Sequence, residues 1–545
     1  MFLATFVVGW GRASAQKSVP GRMGQITDWS TRYVQYPQGA SLAALALSQR
    51  DPRAYWNYIN LMNRANAAQL AERLRLSQPS RQRVQPNNPD VDWSVALGPA
   101  GTAATQYPAK YSFNIHAAPD CVNDFVVFGI NATPSTTQAN IAAFNNLYSG
   151  SSPTGICSGT TANVYWAYHL GGAPVSTSPT ISLDGTKVAF VVSANPAVFH
   201  VLTWKANTGT VFAPAAPSTI TNLTLTGATD AASSPFIDYI NDIAYVGTGN
   251  GRLYKIHPVF TGTPALAGAP WPITGLGGTM TSPVIDFKTG NIFIGDSLGK
   301  LYGFTPAGAA VPGSPATIGS GRTHGTITDP PLVDSLNGLV YVVTGENSGH
   351  TAAVVAQLST SNLSKVVTAP IGLNNTINIH SPAFNEPYVS GNPNMPGTTQ
   401  EWFIYACGVA AGPASSPVLY RVGFTGTPPA MKTTADATTV SLSSHNLEQC
   451  SPLTDFANGV DRLFLGLETS AVVEFFDIST TTTPTLGAPG QITEAGGTSG
   501  IIIDNVSPAA QASSIYFTTE AGTTACRTGT TNHHCAVKLT QGGLQ

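Results

Sequence analysis

Four histidines and several acidic residues stand where they could meet in one site. His380 comes two residues before Pro382 and His324 seven before Pro331, whereas the acids follow short apolar runs. Imidazole and carboxylate groups brought together can bind a metal ion or transfer protons. The sequence therefore offers a candidate ligand site, with the metal unknown, that consists of His116, His324, His380, His445, Asp296, Glu346 and Glu468, with Glu520 in an equivalent position.

These residues flank copies of one recurring pattern. It reads Ser-Pro, two apolar residues, Asp, a short turn, an apolar strand, a Gly-rich turn and a second apolar strand, most plainly from Ser234 and from Ser282. Repeats of about 50 residues built from short strands are typical of a β-propeller. We therefore predict an all-β fold with eight blades, or seven with a decorated closing sheet. The repeats are anchored at positions 119, 179, 235, 283, 331, 382, 452 and 500.

The repeat also predicts where the candidate site lies. Loops that enter the Ser-Pro strand and turns between the second and third strands share one face of a propeller, so the histidines and acids should ring one mouth of the central channel.

Proline at the first residue of a strand removes no donor from the sheet. The Asp-x-x-x-Gly segments that begin at Asp286, Asp334 and Asp455 are interpreted as hairpin turns rather than calcium loops.

Tryptophan-bearing strands precede three of the repeats, at Trp93, Trp166 and Trp271. Their positions indicate the outermost strand of a blade. The strand at Trp93 has no earlier blade to join, so we expect it to close the ring by pairing with the last repeat, near 515–517 and 537–539. Such closure removes an exposed sheet edge.

From residue 91 to 545 the chain resembles the eight-bladed propellers with repeats of the pyrroloquinoline-quinone type. This resemblance implies the architecture and says little about activity, because the fold serves dehydrogenases, assembly scaffolds and binding modules. The sequence has no adjacent Cys-Cys pair of the kind that quinone-dependent alcohol dehydrogenases place over the cofactor, and Gly345-Glu346-Asn347 is its nearest fragment to their calcium ligands. We expect no cofactor. A calcium- and quinone-dependent dehydrogenase is the alternative.

The N-terminal part differs from the rest in composition. Residues 1–15 resemble a signal peptide, with Ala13-Ser14-Ala15 as the small-residue cleavage pattern. Residues 16–90 are predicted to be an arm that is helical over 41–46 and 52–76 and ends in a linker over 77–90. Residues 17–90 hold ten basic and four acidic residues (+6), and residues 91–545 hold 14 and 24 (−10). The arm is thus either a solvated basic helix or a segment that docks on the acidic body of its own or a neighbouring subunit.

Composition favours a protein that acts outside the cytoplasm. Only 10% of the residues are charged, which argues against a nucleic-acid partner, and no apolar run is long enough for a transmembrane helix. We predict a secreted, periplasmic or extracellular non-catalytic scaffold that binds a protein or a glycan. The alternative of a self-assembling surface protein, a homo-oligomer joined through the arm, stays open. The six cysteines are expected to form disulfides, which local pairing would place at Cys121–Cys157, Cys407–Cys450 and Cys526–Cys535.

Overall fold

Eight antiparallel sheets form the blades of a β-propeller in the computed structural model. The eight-bladed prediction is confirmed. Within the described part of the chain, no helix has the length and apolar character that crossing a membrane requires. The structure describes residues 24–35, 53, 90–113, 119–150, 155–389, 402–410, 415–436, 439–457, 461–479, 485–504, 512, 514–522, 526 and 532–540.

Three strands and a short helix precede the first blade. They are β1 (Gln25–Thr27), α1 (Trp29–Tyr33), β2 (Val34–Gln35) and β3 (Asp90–Gly98). Blades 1 to 4 follow, each written from the channel outwards. Their strands are β4 (Ala109–Ser112), β5 (Phe125–Gly129), β6 (Ile141–Asn145) and β7 (Asn163–Tyr168); β8 (Thr180–Ile181), β9 (Lys187–Val192), β10 (Val198–Thr203) and β11 (Ile220–Thr224); β12 (Phe236–Asp238), β13 (Ile243–Gly247) and β14 (Leu253–Ile256); β15 (Val284–Ile285), β16 (Ile292–Gly295), β17 (Lys300–Phe304) and β18 (Ala316–Thr317).

Blades 5 to 8 have the same plan. Blade 6 also carries the short helix α2 (Glu386–Val389), and β3 completes blade 8 from outside. Their strands are β19 (Leu332–Asp334), β20 (Leu339–Thr344), β21 (Val354–Ser359) and β22 (Asn362–Pro370); β23 (Ala383–Phe384), β24 (Phe403–Val409), β25 (Pro417–Thr425), β26 (Ala430–Met431) and β27 (Val440–Ser441); β28 (Thr454–Ala457), β29 (Asp461–Leu467), β30 (Val472–Asp477) and β31 (Thr485–Thr493); β32 (Ile502–Asp504), β33 (Ser514–Thr518) and β34 (His534–Thr540).

The serine of the Ser-Pro pair joins neighbouring blades. The backbone N–H of Ser178 donates to Oγ of Ser234 (2.7 Å), and the N–H of Ser234 donates to Oγ of Ser282 (2.8 Å). The hydroxyl residue before each serine acts within its own blade, as when Oγ1 of Thr281 accepts from the N–H of Gly295. Both bonds satisfy backbone donors that are buried beside the channel, where an unpaired N–H would be costly.

The first repeat begins earlier than the sequence predicted. The innermost strand of blade 1, β4, starts directly after Pro108, so Pro108 and not Pro119 is its anchor. Tyr107 takes the serine position, and its N–H donates to Oγ of Ser178 (2.9 Å) as the serines do. The pattern was hidden because tyrosine stands where most of the other copies have serine.

The ring closes as predicted. Strand β3 pairs antiparallel with β34, placing Trp93 opposite Lys538. Two buried ion pairs reinforce this closure: one joins β34 to β3 within blade 8, and the other joins β4 of blade 1 to β32 of blade 8. The Nζ atom of Lys538 lies 2.9 Å from Oδ2 of Asp92, and Nζ of Lys110 lies 3.0 Å from Oδ2 of Asp504.

Three disulfides link Cys121 to Cys157, Cys407 to Cys450, and Cys526 to Cys535, which are the local pairs expected from the sequence. The hairpin interpretation of the Asp-x-x-x-Gly segments also holds where the segments are described. Oδ1 of Asp334 accepts from the N–H groups of Leu336 and Asn337 (3.1 and 3.0 Å). The turn after Asp455 extends beyond the described residues.

Residues 24–35 cross the central channel as a strap. Strand β1 pairs antiparallel with β4 of blade 1, and β2 pairs parallel with β19 of blade 5. Blades 1 and 5 face each other across a ring of eight, so the strap joins opposite walls. The arm was expected to be helical only from Ser41, and of the two predicted helices only Arg53 is described, in a helical conformation. The signal-peptide prediction concerns residues outside the described part.

Candidate functional site

The direction of the strap can be read from its two strand pairings. Innermost strands run from the mouth, where the loops enter the Ser-Pro pairs, towards the opposite face. Strand β1 is antiparallel to such a strand and β2 is parallel to one. The strap therefore rises towards the mouth, turns through α1, and descends again. Both of its ends leave at the face opposite the mouth.

Helix α1 holds the turn of the strap in place. Its N-cap Asp28 accepts from the N–H of Ser30 (3.0 Å) through Oδ1. Trp29 and Tyr33 are buried, and the hydroxyl of Tyr33 is 2.8 Å from that of Ser381 and 3.0 Å from that of Tyr107. Burial raises the pKa of Tyr33 well above its usual value, so this hydroxyl stays protonated and available for hydrogen bonding.

On the mouth side of the strap lies a cavity of about 390 Å³. This volume is within the range of about 300 to 1,000 Å³ for small-molecule pockets. Trp29 contributes to its wall, together with residues that enter blades 1 to 5 and Asn378. None of the 21 lining residues is charged, and twelve carry a hydroxyl group. The cavity is therefore polar without having a fixed charge.

Gln106 organises one wall of this cavity. Its Oε1 atom accepts from the hydroxyls of Ser178 (2.9 Å) and Ser234 (2.6 Å), which belong to neighbouring blades. One amide thus ties the loop before blade 1 to the entrances of blades 2 and 3. The wall is built from neutral hydrogen bonds whose hydroxyls can rotate, since a serine hydroxyl both donates and accepts.

The predicted His and acidic residues lie outside that lining. His380 pairs through Nδ1 with Oδ1 of Asp329 (3.0 Å), whose Oδ2 accepts from the N–H of Ser381 (2.7 Å). Burial lowers the pKa of His380, but the adjacent Asp329 carboxylate outweighs it and the pKa lies above its usual value. Glu468 adds to this effect, which places two of the predicted residues within electrostatic range of each other.

Glu346 belongs to a separate cluster. Its carboxylate accepts from the Ser320 hydroxyl and from Nδ2 of Asn374 (3.1 Å), and it lies 3.2 Å from Nδ1 of His350 and 3.6 Å from Nη1 of Arg322. Burial raises the pKa of Glu346, but these hydrogen bonds and the charge of Arg322 together hold it below the usual value. The carboxylate oxygens are already occupied by protein donors.

Asp296, His324 and His445 each bond to other groups. Asp296 accepts from the N–H groups of Leu298 and Lys300 within its own turn. The Nδ1 atom of His324 lies 3.0 Å from Oδ1 of Asn378. His445 is half exposed beside Ser443 and Ser470. His116 is outside the described residues.

Among the predicted acidic residues and histidines at the mouth, Glu520 has the largest shift in pKa. Burial, with the nearby charge of Glu468, raises the pKa of Glu520 to about 8. Its Oε1 atom is buried without a hydrogen-bond partner among the described residues. A carboxyl of this kind stays protonated at neutral pH, which is what a buried acid without a counter-ion does.

The described residues do not fit a calcium-bound quinone. In that part of the chain no group of three or more His, Cys, Asp or Glu could hold a metal ion. In Gly345-Glu346-Asn347, the fragment nearest to the calcium ligands of the dehydrogenases, the carboxylate of Glu346 already accepts from protein donors. Oδ1 of Asn347 accepts from the N–H of Thr351 (2.9 Å). The cavity has no carboxylate in its lining.

Sequence reasoning missed the residues that form the cavity. Trp29 was assigned to an arm outside the propeller, and the serines of the repeat carried no assigned role. The recurrence of hydroxyl residues on both sides of the entrances, as in Thr281-Ser282-Pro283, was the available signal. Nothing in the spacing indicated that residues 24–35 would return to the channel.

No protein-family model matches the chain, and no curated protein matches it. Solved structures are similar in fold. Sqt1 from Saccharomyces cerevisiae aligns with a TM-score of 0.50 at 9% identity, over 83% of this chain and 100% of that one. BamB from Moraxella catarrhalis aligns with a TM-score of 0.44 at 11% identity, over 83% and 98% of the two chains. At these identities the similarity concerns the propeller fold.

Proposed function

We propose that this protein is an exported, non-catalytic binding propeller whose recognition surface is the mouth of its channel. The observation that carries the proposal is the uncharged cavity of about 390 Å³, closed below by the chain's own strap. Catalysis by acid, base or metal needs charged or ligating groups directed at a substrate. The predicted residues Asp296, His324, Glu346, His380 and His445 instead bond to neighbouring side chains or backbone groups around the rim.

Export is part of the same proposal. The three disulfides are typical of proteins that fold in an oxidising compartment. The signal-like residues 1–15 and the low charge content of the sequence support the same location. The partner is a protein or a glycan at the cell surface.

Metal and quinone content of the natively purified, full-length protein tests this proposal against the dehydrogenase alternative. Elemental analysis and absorbance spectroscopy are made on one sample. We expect neither stoichiometric calcium nor a quinone chromophore. One calcium and one quinone per chain would refute the proposal and identify a dehydrogenase.

Self-assembly through the arm is a second candidate, favoured by the direction of the strap. Both strap ends point away from the mouth, and the sequence after the strap is rich in basic residues. Deleting residues 16–90 would remove the strap itself, so a charge variant is a cleaner test. The variant replaces five basic residues with Gln: Arg64, Arg73, Arg75, Arg81 and Arg83. Light scattering should show that the intact chain is multimeric and that this variant is not.

A further inference from the structure

We infer that the cavity at the channel mouth binds a neutral saccharide of one or two sugar units. The inference rests on the proposed binding function and names the ligand class. At ~30 Å³ per water molecule, the cavity has room for about 13 waters. A small polyhydroxylated molecule can thus take the place of these waters.

Unused hydrogen-bonding groups in the lining support this ligand. Trp29 is 1% exposed, and its Nε1–H has no acceptor among the described residues. The hydroxyls of Ser176 and Thr326 are likewise buried without partners in that part of the chain. All three residues line the cavity. A buried polar group normally has a hydrogen-bond partner, so these groups require a bound molecule or ordered water.

The chemistry of the lining selects among ligands. A charged ligand would lose its hydration without gaining a counter-ion, because no lining residue is charged. Sugar hydroxyls both donate and accept, which matches serine and threonine hydroxyls that do the same. Apolar side chains of Met280 and Ile327 and the Trp29 ring supply surface for the C–H face of a sugar ring.

Two substitutions test the site without touching the repeat serines. Ala232 is exposed at the cavity wall, so Ala232→Trp should fill the cavity while the blades keep their packing. Thr326→Val removes one unpaired hydroxyl at nearly constant volume. The matched control is Thr263→Val, an exposed threonine outside the lining.

Isothermal titration calorimetry of the full chain provides the measurement. The probes are glucose, galactose, N-acetylglucosamine, maltose and cellobiose, with glucuronate as the charged counterpart of glucose. We expect at least one neutral sugar to bind with Kd below about 1 mM. Ala232→Trp should weaken that binding at least about tenfold and Thr326→Val about 3- to 10-fold, whereas Thr263→Val should not change it. Glucuronate should bind at least about tenfold more weakly than glucose.

Two results would overturn the inference. One is that no neutral sugar binds at about 10 mM, which would leave a cavity that holds water only. The other is binding that Ala232→Trp and Thr326→Val both leave unchanged, which would place the sugar elsewhere. A protein that lacks calcium and quinone but fails to bind sugars would refute this inference alone, since the proposed scaffold function has its own test.

Discussion

The pairing of β3 with β34, which closes the ring within blade 8, provides a prediction whose size follows from the structure. Lys538 and Asp92 are both completely buried, with 2.9 Å between Nζ and Oδ2. At an effective dielectric constant of ~20, two unit charges at that distance attract by about 6 kcal/mol. Removing one partner leaves the other charge buried without its counter-ion, which typically costs about 3 to 5 kcal/mol. We therefore expect Lys538→Met to lower the free energy of unfolding by about that amount.

Urea unfolding followed by tryptophan fluorescence measures the effect. The matched control is Lys205→Met, an exposed lysine on the surface of blade 2, which should change the free energy of unfolding by less than about 0.5 kcal/mol. The double variant Asp92→Leu/Lys538→Met should be less destabilised than Lys538→Met, because it removes both charges. A cost for Lys538→Met no greater than that of the control would refute the reasoning.

Three further predictions follow from other parts of the molecule. Replacing Cys121 and Cys157 with serine should lower the free energy of unfolding by about 4 kcal/mol, as expected for the 36-residue separation, measured by urea unfolding under oxidising conditions; an unchanged midpoint would contradict this. Because the pKa of Glu520 is raised to about 8, its contribution to stability falls as pH rises from about 4.5 to about 8. Glu520→Gln should therefore flatten the fall in melting temperature over that range, and a parallel pH profile would be evidence against it. Asp329→Asn should lower the pKa of His380, followed by NMR titration, because the carboxylate holds that pKa up; an unchanged titration would contradict the pairing.

The sequence predicted the elements that repeat. The Ser-Pro anchors, the strands after them and the closing strand at Trp93 recur at regular spacing, so local pattern alone located seven of the eight innermost strands. It failed at the first blade, where Tyr107 replaces serine, because the prediction depended on the residue type rather than on the hydrogen bond that the residue makes.

The strap was outside the reach of such reasoning. Residues 24–35 contain two very short strands and one helical turn, and each is stabilised by contacts with distant residues. Trp29 packs against Phe236, and Tyr33 bonds to Ser381, more than 200 and 300 positions away. Contacts of this separation leave no periodic signal in the local sequence. The cavity was missed for the same reason, since its floor belongs to the strap.

The candidate site of histidines and acids stays a prediction. The electrostatic link between His380 and Glu468 agrees with placing histidines and acids on one face. Their grouping as one ligand site does not follow, because Glu346 and Asp296 each have separate partners. Loop position indicated the face, whereas the choice of partner depends on side-chain geometry that spacing does not encode.

Cross-linking the strap tests the central claim that the chain closes its own channel and so forms the cavity floor. Gln25 lies opposite Ser112 in the β1–β4 pair, within the range of about 4.4 to 6.8 Å that a disulfide spans between Cα atoms. The account predicts that Gln25→Cys/Ser112→Cys forms a disulfide within one chain, identified by mass spectrometry of the non-reduced peptides. Free thiols at both positions, or a bond only between two chains, would contradict it.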